Sequence, residues 1–419
     1  MANADCIKRV KDIILSDPSV GYVVVSAPGK REKTDTKVTD LLYAALDKVK
    51  HGHSASGAFE PVKTRFDGII SELGIDLDLT RDYEEIIAAL TDNATREYLS
   101  AKVLAALLGW KFIDAKDFVR FDENGNFLAE ETNAYAKAML RSVKYAVIPG
   151  FYGATDKGEI KTFSRGGSDI SGSIVARAVY ASIYENWTDV SGFLVCDPRI
   201  VPEAKTITQI TYKELRELSY MGANVLHPES TFPLRFTKAP INIRNTFHPD
   251  HDGTMIVSAY DSTHERRIVT GIAGHKGFTS INITKSMMNS ELGFGRRVLS
   301  VLEYAGVRFE HIPSGIDTLS VFVADNEIVG KMEKIISRIR EAVNPDTIEI
   351  HSGMSLIATV GQGMSDRTGT AARLFTALAK SGVNIRMIDQ GSSEINIIVG
   401  VESSDYERAI NAIYEEFFN

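Results

Sequence analysis

The sequence predicts a layered α/β domain followed by a duplicated small α+β module. Helical periodicities alternate with short β-branched runs over the first half of the chain, two C-terminal segments superimpose at one constant offset, and 419 residues exceed a single ordinary core. With 44% hydrophobic and 24% charged residues, the composition is that of a folded chain and excludes a disordered or fibrous one.

Cys6, Ile7, Val10, Ile13 and Ile14 fall at helical spacing, so the chain opens on a helix. Tyr22-Val23-Val24-Val25 is short, β-branched and continuously apolar, as a buried parallel strand is. The polar, small stretch 51–57 reads as a loop or a helix cap. Helical periodicity over 96–108, a strand-like Phe112-Ile113, a helix over 132–142 and a strand-like 145–148 continue the rhythm.

Beyond about residue 270 the pattern changes. Gly293 matches Gly369, Gly306 matches Gly382, Gly315 matches Gly391 and Val323 matches Val399, all at an offset of 76 residues. Each copy predicts a helix (294–305 and 370–381), two strand-like runs and a second helix (327–341 and 406–417). An ungapped offset identifies a duplicated module.

Net charge excludes one function class. Forty-seven basic and 55 acidic residues give −8, the wrong sign for a phosphate-neutralising surface, so no nucleic acid partner is expected. Cys6 and Cys196 are too few for a disulfide framework, and a reducing compartment is expected. His248 and His251 flank a turn without a ligand cluster, so no metal site is expected there. The opening residues carry no signal pattern and no apolar run reaches membrane-span length, so the reading is cytoplasmic, with no membrane partner.

The most informative segment is TFSRGGSD at 162–169, followed by an apolar helical face of Ile170, Ile174, Val175, Ala178 and Val179. Two glycines entering a helix let backbone N–H groups converge at its positive end, which suits a carboxylate or phosphate. Arg165 adds a planar fork for a carboxylate, and Asp169 in the first turn could hold an ammonium group. An ordinary tight turn, with Asp169 serving the helix dipole, fits the spacing equally well. WTDVSG at 187–192 presents Thr188 and Asp189 before a glycine turn at a sheet edge, or is a plain turn. Arg199 in DPR could meet phosphate or pair with a surface acid. After the Val-rich strand, SAPGKR at 26–31 suggests a loop over the site. Its Lys30 and Arg31, with Lys33 and Lys37, either attract nucleotide or form a solvated charge run.

Taken together, VVVSAPGK at 23–30, TFSRGGSD, WTDVSG, DPRIVPEA at 197–204, YMGANVLHP at 220–228 and IRNTF at 243–247 resemble the aspartate kinase family (aspartokinases) of the amino-acid kinase superfamily. The duplicated module resembles that family's paired ACT domains, which are ferredoxin-like. The resemblance implies an amino-acid-kinase domain over 1–262, a first ACT module over 263–345 and a second over 346–419. It implies ATP-dependent phosphorylation of the β-carboxylate of L-aspartate, with ATP and Mg²⁺, as a first step toward lysine, threonine and methionine.

By position, Thr39, Glu97, Phe151, Arg165, Gly166, Ser168 and Asp169 fall where the family binds aspartate. Arg165 is expected on the α-carboxylate and Glu97 with Asp169 near the amino group; these three are the expected catalytic set. Ser26, Thr188, Asp189 and Arg199 fall toward ATP, and where the family often has a tyrosine this chain has Leu194. An effector amino acid, lysine first and threonine second, is expected at Met288, Gly293, Phe294, Gly295, Glu310, Ser314 and Asp317, although Met288 and Phe294 fit plain core positions equally. A homodimer or tetramer through the ACT modules is implied.

The family also begins with a strand and a KFGG-type loop that holds the ATP phosphates, whereas this sequence opens on the following helix. That departure implies a start downstream of the natural one, or a weak or silent amino-acid-sensing form. It also implies that the sheet lacks a central neighbour. A kinase for acetylglutamate, glutamate or a nucleotide is the remaining alternative, disfavoured by RGGSD together with the tandem module.

Overall fold

The computed structural model describes residues 1–32, 34–51, 53–89, 95–163, 166–223, 226, 228–261 and 267–419. The chain forms two compact units, Met1–Gly192 with Val225–Ser258, and Phe193–Asn224 with Ala259–Asn419. The segment Phe193–Asn224, placed by sequence in the first domain, therefore counts with the second unit.

Helix α1 (Ala4–Ser16) starts where the Asn3 side chain accepts the Cys6 N–H at 2.9 Å, and it buries Ile7 and Ile14 one heptad apart. Strand β1 (Tyr22–Val25) is followed by helices α2 (Val38–Lys50), α3 (Ala55–Leu73), α4 (Thr80–Ala89) and α5 (Thr95–Leu108). The polar 51–57 stretch is half loop and half helix, because Ser54 caps α3 by accepting the Gly57 N–H at 3.1 Å. Strand β2 (Lys111–Phe112), helix α6 (Ala129–Leu140) and strand β3 (Ala146–Pro149) complete a parallel sheet ordered β1-β3-β2.

A hairpin of β4 (Tyr152–Ala154) and β5 (Ile160–Thr162) then delivers the chain to helix α7 (Gly167–Ala178) and strand β6 (Tyr184–Thr188). After β7 (Gln209–Thr211) and α8 (Tyr212–Tyr220), both in the second unit, β8 (Ile241–Asn245) and β9 (Thr254–Val257) return to the first. There β6 pairs in parallel with β8, and β8 antiparallel with β9. Helix α7 packs against both β1 and β6, the edge strands of the two sheet pieces among the described residues. Both strands are mostly half-buried, unusual for parallel strands in a layered core.

In the second unit, β10 (Gly271–Thr284), α9 (Phe294–Tyr304), β11 (Thr318–Ala324), α10 (Asp325–Ile328), α11 (Met332–Val343), β12 (Thr347–Val360), α12 (Thr370–Lys380), β13 (Met387–Asp389), β14 (Asn396–Glu402) and α13 (Tyr406–Phe418) follow in order. The repeat is visible in the backbone. Gly293 and Gly369 cap their helices at φ 75° and 83°, Gly306 and Gly382 end the same helices at φ 61° and 72°, and Val323 and Val399 are fully buried. The five strands form one sheet ordered β11-β10-β12-β14-β13. The 14-residue strands β10 and β12 run through both copies: β11 pairs with the later half of β10, and β14 with the later half of β12. The boundary expected at 345/346 thus falls just before a shared strand.

Glu214 joins α8 to this sheet from inside. Fully buried, its carboxylate caps α8 in a capping box with Thr211 and accepts from Tyr260 Oη (2.7 Å), Thr270 Oγ1 (2.7 Å) and the Gln362 N–H (2.8 Å). Among the described residues, no helix is long and apolar enough to cross a membrane.

Candidate active site

Ser26, Phe151 and Thr188 stand at or just beyond the carboxyl ends of parallel strands β1, β3 and β6, the edge at which α/β sheets receive ligands. Helix α7 begins between them. Its cap is Gly166 at φ 69°, in the left-handed region that favours glycine, and no side chain caps the helix. Gly167 is required by space, since a Cβ there would stand 2.6 Å from Phe151 Cδ2 and 2.8 Å from Phe163 Cβ.

Phe151 itself holds φ 81°, a costly conformation for a non-glycine residue, and is locked on both sides. Its N–H donates to Ser171 Oγ (3.0 Å), which in turn donates to the Gly167 carbonyl (3.0 Å); its own carbonyl accepts the Phe163 N–H (2.9 Å). The diglycine turn and the β3–β4 corner are therefore one interlocked piece.

Around that piece the structure gathers Ser26, Glu97, Phe151, Gly166, Ser168 and Asp169. Ser168 Oγ donates to Ser26 Oγ at 3.2 Å. Asp169, in the first turn of α7, accepts from Asn186 Nδ2 at 2.8 Å. Glu97, in the first turn of α5, is 2% exposed and accepts Arg96 Nε on both oxygens at 2.9 and 3.1 Å. The Arg96 guanidinium lies 5.1 Å from the Phe151 ring centroid, which links Glu97 to the turn. Burial pushes the Glu97 carboxyl up to about 7, with Arg96 opposing the rise. A buried carboxylate so poised gains from an incoming ammonium group. Arg165 and the side chain of Thr39 lie outside the described residues.

Three residues escaped the sequence reading. Asn186 shares one face of β6 with Tyr184 and Thr188, and that period-two alternation was the signal for it. Tyr184 Oη approaches the Asp169 carbonyl at 3.4 Å and sits where a Cβ on Gly172 would be, 2.4 Å away. Arg96 was visible only as the neighbour of Glu97.

At the end of β6, register places Trp187 opposite Arg244 and Thr188 opposite Asn245, so WTDVSG and IRNTF lie side by side. Arg244 stacks 4.7 Å from the Trp187 ring, and Asn245 Nδ2 donates to Ser191 Oγ at 2.9 Å. Gly192 has φ 95°, and a Cβ there would meet Thr254 Oγ1 at 2.3 Å, which fixes the turn after the exposed Asp189. Arg199 belongs to the second unit and forks onto Asp197, with Nη2 at 2.6 Å and Nε at 3.0 Å.

The expected effector residues divide. Met288 and Phe294 are buried in the core of the first copy, packed with Val298, Leu302 and Val321. Asp317 accepts the Met287 N–H at 2.8 Å and Glu310 accepts from Tyr220 Oη, while Ser314 is exposed beside β11. Gly293 caps α9, and Gly295 has open space where a side chain would point.

An amino acid kinase family model matches residues 1–245 and an ACT domain model residues 357–417. Aspartokinase 3 of Bacillus subtilis (strain 168) is 37% identical over 444 residues, spanning 100% of this chain and 96% of that protein. The crystal structure of Clostridium acetobutylicum aspartate kinase, an allosteric enzyme, superposes with a TM-score of 0.90 at 48% identity, over 100% of this chain and 97% of that one. Aspartokinase III of E. coli, solved with aspartate and ADP, shares the fold at a TM-score of 0.73 and 22% identity over 100% and 97% of the two chains. With its diglycine turn, its paired strand-end motifs and its duplicated C-terminal module all in place, the chain belongs to the aspartate kinase family of phosphotransferases.

Proposed function

We propose that the entrance of α7 binds L-aspartate and that its β-carboxylate takes the γ-phosphoryl group of MgATP. The observation that carries this reading is the meeting, around one helix N-terminus, of Asp169, the Ser168–Ser26 pair and the buried Glu97. Acidic groups await the ammonium end of an amino acid, while the helix dipole and Arg165 favour its α-carboxylate.

In the reaction a β-carboxylate oxygen forms the new O–P bond as the γ-phosphorus leaves the β,γ-bridging oxygen, giving 4-phospho-L-aspartate and ADP. The nucleophile is already ionised at neutral pH, so no general base is required. The protein contributes alignment and charge neutralisation. Thr188 and Asp189 at the end of β6 are assigned to the nucleotide, and Mg²⁺ enters with its phosphates.

Coupled ADP release measured with L-aspartate, L-glutamate and N-acetylglutamate tests the substrate. Turnover confined to aspartate, lost in Arg165→Ala and Asp169→Asn, is the expected result; equal turnover of glutamate removes the assignment. Saturable aspartate binding without turnover would mark an amino-acid sensor instead.

Regulation is assigned to the first copy, where Glu310, Ser314 and Asp317 supply two carboxylates and a hydroxyl for a cationic amino acid, lysine before threonine. The allosteric character of the Clostridium enzyme supports a regulated site. Inhibition then reflects unequal affinity for two conformational states. Calorimetry with both amino acids, showing heat for lysine and weaker heat for threonine, is the expected outcome; silence with both overturns it. Edge strand β13 of the five-stranded sheet offers unpaired backbone, which supports a homodimer, and light scattering tests it. The free, buried Cys196 thiol, pushed up to about 12 by burial, accords with a cytoplasmic, reducing setting.

A further inference from the structure

We propose that Arg65 is a positioning residue for aspartate: its buried guanidinium clasps the loop between β1 and α2, whose two ends carry Ser26 and Thr39. The inference rests on the reading above that Thr39 and the Ser168–Ser26 pair border aspartate, Ser26 being taken with the α7 entrance it bonds rather than with the nucleotide.

Arg65 sits in α3 on a face otherwise made of Phe59, Val62, Phe66 and Ile69, and its side chain is 4% exposed. A charge placed there costs desolvation that an aliphatic residue would avoid, so its partners must repay it. All four acceptors lie outside its own helix. Nη1 donates to Asp35 Oδ2 (2.9 Å) and the Thr36 carbonyl (3.1 Å), and Nη2 to the carbonyls of Gly29 (2.8 Å) and Ala2 (3.2 Å). Three of the four belong to the loop.

From the loop side, Asp35 also accepts Arg31 through its N–H (2.8 Å), Nε (3.1 Å) and Nη2 (2.8 Å). Those Arg31 bonds hold the Asp35 carboxyl far below the usual range, with Arg65 adding to them, so the clasp stays charged at any working pH. The loop closes on itself through Asp35 and is fastened to α3 through Arg65. Among the described positions of 26–37, Pro28 is the one fully buried residue. Arg31, read from sequence as nucleotide-attracting or solvated, has a half-exposed side chain that also braces the loop through Asp35.

A loop ordered in advance spares the ligand the entropy of ordering it. Severing the clasp returns that cost to aspartate and leaves the nucleotide side alone. Steady-state kinetics on the full chain with Arg65→Met should show the aspartate KM raised about tenfold, the MgATP KM within about twofold and kcat within about threefold of wild type. Arg65→Lys should fall between. Trypsin should cut after Lys30 or Arg31 faster in the variant, and aspartate should slow that cut. A merely structural role would lower kcat through a smaller active fraction, with both KM values unchanged, and would overturn the proposal. Asp35→Ala, which opens the clasp from the loop side, carries the same expectation and decides the matter if Arg65→Met does not fold. Asp169→Asn separates the two layers of inference: an unchanged aspartate KM there refutes the aspartate site itself. A rise at Asp169 with none at Arg65 or Asp35 refutes the clasp alone.

Discussion

Two helix entrances in this molecule begin the same way and differ in what surrounds them. Helices α7 and α9 both start from a left-handed glycine without a side-chain cap, at φ 69° and 75°. At α7 the next glycine is walled in by Phe151 and Phe163, with a buried carboxylate and an Asn-held aspartate alongside. At α9 the space at Gly295 is open, and the nearby Glu291 already holds both Lys285 and Arg297. A helix dipole is common to both, so it is the fixed, desolvated surroundings that set the α7 entrance apart and on which its proposed catalytic role rests.

The sharpest way to break this comparison is a methyl group at each entrance. Gly167→Ala drives a Cβ into Phe151 and should cost about 1–3 kcal/mol of stability. The displaced turn should lower kcat/KM for aspartate by about 100-fold or more. Should Gly167→Ala retain full activity, the walls of the α7 entrance do not matter.

Glu97→Gln comes next. Burial pushes the Glu97 carboxyl up to about 7 in the fold from its ordinary 4.5, so its protonated form stabilises the fold at low pH. That contribution is complete below pH 4.5 and is lost as pH rises through about 7. The amide, which never ionises, should therefore make the ligand-free protein more stable at pH 8, on the order of 3 kcal/mol, while raising the aspartate KM about 10- to 100-fold. Denaturant melts at pH 5 and 8, with and without aspartate, check both signs. In the unaltered protein the aspartate KM should fall as pH rises through about 7.

Asn186→Leu removes the donor that orients Asp169 and should raise the aspartate KM about three- to tenfold with little change for MgATP. Smallest of all, Gly295→Ala in the open α9 entrance should leave kcat and both KM values unchanged and stabilise α9 by about 0.5–1 kcal/mol, seen as a higher Tm.

Much of this was legible in the sequence where local physics and tertiary structure agree. The apolar β1 run, the α1 face and the α7 entrance read correctly because period, glycine position and burial point the same way. The constant-offset repeat gave the C-terminal helices within a few residues, although the expected 327–341 helix divides into α10 and α11 at Gly330, which holds φ 71°. Helix α3 was not read, since Gly57, Pro61 and Gly68 look like breakers in a segment whose Phe59, Val62, Phe66 and Ile69 keep strict helical spacing. Tertiary burial overrides propensity there. Arg96 and Arg65 act through burial and through partners distant in sequence, and no local pattern announces those; Asn186 is signalled only by the alternation of β6. Likewise, nothing in the offset shows that the two copies share strands.

That sharing has a mechanical consequence. Because β10 and β12 are each a single strand serving both copies, neither copy is a detachable bead on a string. A protein cut at residue 346 would not release one intact regulator; it would unravel a common spine. Any twist at one end of those strands reaches the other along the same backbone, across the register shift at Lys276–Ser280 and the left-handed glycines Gly277 (φ 93°) and Gly353 (φ 76°) that mark the junction.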